Sequence, residues 1–155
     1  MKPQLSTTLW MGLFCGAVGL LVGLWVWNLA IAEDYAAFPA YTTLAAALTG
    51  AGLWWLLVAR LGLYRPLRGA FAGGLAGIVA HYLCWYLAIL ANNVCYWGWG
   101  GCQASLPGPP VDPLNGLWAA AILALGSLFF FGWLTVPAGA LIGGLWAARQ
   151  RGLPA

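Results

Sequence analysis

Charge is what this sequence has least of. Its 155 residues include 6 Lys+Arg, 3 Asp+Glu and a single His, so charged side chains make up 6% of the chain. An ordinary soluble domain is about a quarter charged, and a surface this poor in charge cannot face water on all sides. The same numbers exclude a disordered chain, which combines high charge with low hydrophobicity. A nucleic-acid partner is excluded as well, because gripping the phosphate backbone takes a clustered basic surface. Motifs for metal or nucleotide chemistry are also missing. There is no Walker loop, no His-Glu-x-x-His and no group of His, Cys and acidic residues at ligand spacing. No metal site and no catalytic residue set is expected.

What is present is apolar. Hydrophobic residues make up 63% of the chain, with 11 Trp and 22 Gly, and the mean hydropathy is +0.86. The charges divide the chain into neutral stretches: 30 residues between Lys2 and Glu33, 25 between Asp34 and Arg60, 43 between Arg68 and Asp112, and 36 between Asp112 and Arg149. About 20 apolar residues cross a bilayer as a helix. The third stretch is long enough for two crossings, but from Asn92 to Pro113 it is interrupted by glycine and proline, and irregular backbone is not tolerated against lipid. The reading is an all-α integral membrane protein, a single domain (1–155) forming a bundle of four transmembrane helices. The spans are 9–32, 41–59, 69–91 and 117–148, with an outer loop at 92–116.

Four spans leave both termini on one side. All six basic residues (Lys2, Arg60, Arg65, Arg68, Arg149, Arg151) fall on that side, and Glu33, Asp34 and Asp112 fall on the other. The positive-inside rule then makes both termini cytoplasmic. Arg60, Arg65 and Arg68 form a basic inner loop that sets topology and attracts anionic lipid headgroups. Ala30-Ile31-Ala32 before Glu33-Asp34 resembles a signal-peptidase site. The apolar stretch before it is longer than the roughly 7–15 residues of such a signal and carries Trp25 and Trp27, so a retained first helix is expected.

Helices in lipid associate by close packing at small residues. The first span carries Gly12, Gly16, Gly19 and Gly23 on one face, and the third carries Gly69, Gly73 and Gly77. The second has Ala46 and Gly50, and the fourth has Gly139 and Gly143. These stripes predict a tight bundle or a docking face for another protein. Pro137, inside the fourth span, cannot donate to the carbonyl of Trp133 and predicts a kink there, with the Thr135 hydroxyl available to the freed backbone.

His81 lies near the middle of the third span, four residues after Gly77 and eight after Gly73, on the same face. An ionisable residue at that depth is a functional candidate: an axial haem ligand, a hydrogen-bond partner for quinone, or a proton relay. The plainer reading is a neutral imidazole bonded to a neighbouring helix, with Thr49 and Ser127 at similar depth as partners. The chain has no second His for bis-histidine haem ligation and no carboxylate within a span.

Cys15 and Cys84 fall within spans and read as small apolar packers. Cys95 and Cys102 fall in the outer loop, where disulfides persist, and are expected to pair around Tyr96, Trp97 and Trp99. Four spans with a two-cysteine outer loop are superficially similar to the disulfide-generating membrane oxidoreductases that reduce quinone. Those enzymes need a second cysteine pair, and the other outer loop, 33–40, has none. The outer loop continues through the stiff segment Leu106-Pro-Gly-Pro-Pro110, and a loop of this length is where a partner contact is sought.

Three functions fit. The expected one is a non-enzymatic, cofactor-free accessory or assembly subunit of the bacterial inner membrane. Its partners are the bilayer and other membrane subunits, or further copies of itself. The alternatives are a small oligomeric channel or transporter, and a redox subunit binding haem or quinone near His81.

Overall fold

The computed structural model describes residues 2–30, 36–100 and 109–151, with side chains from Leu5 onward in the first helix. Four helices carry these residues: α1 (Lys2–Leu29), α2 (Phe38–Trp54, continued by one π-helical turn, Trp55–Ala59), α3 (Pro66–Trp99) and α4 (Pro113–Arg151). All four are long and apolar enough to cross a membrane, and there is no strand among the described residues. This composition supports a multi-pass membrane protein.

Neighbours in sequence are neighbours in space. The α1–α2 and α3–α4 hairpins are the closest pairs, α2 packs on α3, and α1 meets α4 only sparsely. Glycine makes each hairpin close. A methyl group added at Gly12 or Gly16 would stand 3.1–3.2 Å from Ala51 or Ala47, and one at Gly19 would stand 2.5 Å from the Thr42 carbonyl oxygen. Across α3–α4 the contact is backbone to backbone. A Cβ at Gly73 would overlap the carbonyl oxygen of Gly139, one at Gly139 would overlap that of Gly73, and Gly69 and Gly143 are related in the same way. The stripes on α1 and α3 are therefore used inside the chain, which is the physical reason they offer no free docking face.

The basic end of the bundle holds a buried apolar cluster of Met11, Cys15, Trp54, Val58, Ala59, Ala72 and Ala147. Trp54 is fully buried, and its indole N–H is the one buried side-chain polar atom without a partner among the described residues. The π turn after Trp54 shifts the amide bonds by one residue, Arg60 N–H reaching the carbonyl of Trp55 and Leu63 N–H that of Val58. Arg68 Nε donates to the Leu57 carbonyl at 2.5 Å, a charged clasp between the end of α2 and the start of α3.

At the other end, helix occupies much of the segment read as a loop. α3 runs to Trp99, through Asn92, Asn93 and Gly98, and α4 begins at Pro113. The helices thus extend past the expected span ends at 91 and 117, into the segment 92–116 read as an outer loop. The cause is satisfied polar groups. Asn93 is buried and donates Nδ2 to the carbonyls of Ile89 and Val111. Gly100 ends α3 in the left-handed conformation, φ 77°, which glycine adopts without steric cost. Asp112 starts α4 by accepting the amides of Leu114 and Asn115, each at 3.0 Å, with proline at the first helical position. Cys102 lies outside the described residues, as do Glu33 and Asp34, so the Cys95–Cys102 pairing has no place in this description. α4 continues unbroken through Pro137 to Arg151. Thr135 donates to the Phe131 carbonyl at 3.1 Å rather than to that of Trp133.

Candidate functional site

Beyond the basic end, the helices part around a cavity of about 430 Å³ walled by all four of them. α1 contributes Cys15, Gly19, Val22 and Val26, and α2 contributes Phe38, Thr42 and Ala46. The α3 wall runs from Ala76 through His81 and Cys84 to Trp85, and the α4 wall runs from Ile122 through Ser127, Phe131 and Thr135 to Ile142. Cys15 belongs both to the cavity wall and to the inner core, and Ile142 packs against that core. The apolar cluster therefore forms the floor. The seam between α1 and α4 is crossed by two aromatic contacts, Phe14–Trp146 (5.4 Å) and Trp25–Phe131 (5.7 Å), both edge-on. The Phe38 and Trp85 rings, 5.5 Å apart, meet between α2 and α3 on the cavity wall.

The wall is mostly apolar, and apart from Thr42 and the Trp85 indole its polar groups gather at His81. His81 Nδ1 lies 2.8 Å from Ser127 Oγ, and Nε2 lies 2.9 Å from Thr135 Oγ1. The two hydroxyls also donate to their own helix, Ser127 to the Ala124 carbonyl at 3.1 Å and Thr135 to the Phe131 carbonyl at 3.1 Å. Both ring nitrogens are thus held by α4. The register of the hairpin explains why. Gly69 meets Gly143 and Gly73 meets Gly139, so steps of four along α3 match steps of four back along α4. His81 then falls opposite position 131, midway between Ser127 and Thr135.

Ser127 is therefore a partner of His81, and Thr49 is not. The Thr49 hydroxyl donates to Ala45 at 2.8 Å and reaches the Ala76 carbonyl of α3 at 3.4 Å. It faces α3 one turn below His81 and bonds α2 to α3. Thr135, assigned from sequence to the proline-freed backbone, is the second partner. Cys15 and Cys84 are buried and free, and both touch the cavity. Of the arginines in the turn between α2 and α3, Arg68 clasps Leu57 and Arg60 stands over the Trp55 ring at 5.7 Å, while Arg65 precedes Pro66 in extended backbone.

His81 is the one histidine of the chain, and each of its ring nitrogens faces a hydroxyl of α4. No group of three His, Cys, Asp or Glu that could hold a metal ion occurs among the described residues. What the arrangement can do is hold an apolar molecule by its shape and orient one polar head at the His81 cluster. Comparison with protein-family models, with curated proteins and with solved structures finds no match to this chain.

Proposed function

We propose that this chain is a non-enzymatic, multi-pass protein of the bacterial inner membrane that holds an uncharged, apolar small molecule inside its helix bundle. One observation carries the reading: a mostly apolar cavity of about 430 Å³ with a hydrogen-bonded cluster around His81 on its wall. Small-molecule sites typically measure roughly 300–1,000 Å³, are lined by apolar and aromatic residues with few polar groups, and occur between the helices of bundles. The positive-inside rule supports the orientation, with the end bearing Arg60, Arg65, Arg68, Arg149 and Arg151 in the cytoplasm. On that orientation Cys95 and Cys102 face the oxidising side, where a disulfide between them would persist. The apolar core cluster beneath the cavity argues against a wide hydrophilic channel through one copy of the chain.

An accessory or assembly subunit of a larger membrane complex is the second reading, and the length of the α3–α4 hairpin favours it. Trp85 of α3 meets Phe38, the first residue of α2, yet α3 continues to Trp99, about 21 Å further at 1.5 Å per residue. Trp97, Trp99 and Trp118 on this extension are 71–77% exposed.

Purification from the native membrane in mild detergent, followed by native mass spectrometry, separates the two. The pocket reading expects one small apolar molecule per chain, lost in Val22→Phe, a substitution that fills the cavity from its buried α1 wall. A complex with stoichiometric protein partners and no retained small molecule would replace it with the subunit reading.

A further inference from the structure

The proton inventory of the cavity restricts what its polar cluster can bind, and the inference from it rests on the pocket reading above. A neutral imidazole carries one N–H, and Ser127 and Thr135 carry one O–H each. Those three hydrogens serve four short contacts: ring to Ser127, ring to Thr135, Ser127 to Ala124, and Thr135 to Phe131. Whichever tautomer is drawn, every polar hydrogen of the cluster already has an acceptor inside the protein. An imidazolium adds a fourth hydrogen, and that one is taken up by the second hydroxyl. Thr42, the other hydroxyl on the wall, donates to the carbonyls of Phe38 and Pro39 at 3.0–3.1 Å. What the hydroxyls leave toward the cavity is oxygen lone pairs. The thiols of Cys15 and Cys84 are weak donors. The indole N–H on the wall belongs to Trp85, one turn beyond His81, where its ring packs on Phe38.

We infer that the cavity takes a hydroxyl-headed neutral lipid, a long-chain alcohol or a hydroquinone whose O–H donates to the Ser127 and Thr135 oxygens. It is selective against the aldehyde, ether or quinone of the same skeleton. A carbonyl or ether oxygen finds no spare donor at the cluster unless one hydroxyl gives up a bond it already makes. A charged head is excluded by the same wall, which holds no counter-ion. For a hydroxyl-headed ligand the preference is worth about one hydrogen bond, roughly tenfold in affinity.

The test uses the full-length protein in lipid nanodiscs loaded with the fluorescent apolar probe diphenylhexatriene. A long-chain primary alcohol, its methyl ether and the matching aldehyde are compared as competitors at equal mole fraction in the bilayer. The alcohol is expected to displace the probe at roughly one tenth of the concentration needed for the other two. Thr135→Ser is expected to keep that preference, and Thr135→Val to reduce it. An aldehyde or ether as potent as the alcohol would overturn the inference while leaving the pocket intact, and a loss of the aldehyde's potency in Trp85→Phe would assign it to the indole. If Val22→Phe binds and releases the probe like the unmodified protein, the pocket reading itself falls. The comparison on the unmodified protein decides the matter even if Thr135→Val does not fold.

Discussion

At Gly73 the carbonyl of Gly139 stands where a side chain would begin. Helix association in lipid depends on such close approach, because the hydrocarbon supplies no hydrophobic drive. Gly73→Ala must push α3 and α4 apart along the whole stripe, and overpacking of a rigid contact costs about 1–3 kcal/mol. Gly52, on α2, meets nothing within 4 Å, so Gly52→Ala is expected to leave stability unchanged or raise it slightly through helix propensity. Thermal unfolding of both variants in detergent checks this. Equal midpoints would mean that the stripe does not hold the hairpin. The site is partly legible at this scale. His81 stands out as the chain's single histidine, and Ser127 follows from depth. Thr135 follows only after the two glycine stripes are set against each other, because that register brackets His81 between positions 127 and 135. Thr49 matched His81 in depth, but it sits on a face that meets Ala76, and depth alone does not distinguish faces.

Among the elements, α4 depends on its first turn. The Asp112 carboxylate accepts the amide and the side chain of Asn115 and the amide of Leu114. These bonds, led by that from the Asn115 amide, hold its pKa below the usual carboxylate value. A native pKa lower than the unfolded one means stabilisation that is complete above the ordinary carboxylate range. It is lost as pH falls through the depressed native value. Asp112→Asn keeps an oxygen at the cap without a titrating charge. On acidification the unmodified protein is therefore expected to lose stability relative to Asp112→Asn, and the Asn115 amide resonance is expected to shift with the same midpoint. Parallel acid profiles in the two proteins would show that the cap carries none of the pH dependence. The four helices were legible because apolar runs between charges measure the crossing length. Their outer ends were not. Asn92, Asn93 and Gly98 break the hydropathy pattern, yet the Asn93 amide is satisfied by Ile89 and Val111 and lets the helix continue. The π turn at Trp55–Ala59 left no mark that composition could reveal.

For the whole molecule, the deciding property is the separation of its charges. The start of α1, the turn between α2 and α3, and the end of α4 meet at one end, where the Trp146 indole reaches the Thr7 carbonyl and Ala147 joins Met11 and Ala72 in the core. That end carries Arg60, Arg65, Arg68, Arg149 and Arg151, and Asp112 stands at the opposite one. Basic residues close to span ends resist translocation, and acidic residues contribute little to orientation. A green fluorescent protein reporter, dark when exported through the general secretory route, should therefore fluoresce when fused after Ala155 and stay dark when inserted after Pro110. Replacing Arg60, Arg65 and Arg68 with glutamine removes one basic segment but leaves Lys2, Arg149 and Arg151, so the orientation should hold and only its uniformity should fall. Fluorescence from the Pro110 insertion in the unmodified protein would invert the bundle. It would put Cys95 and Cys102 on the reducing side and remove the ground for a disulfide there.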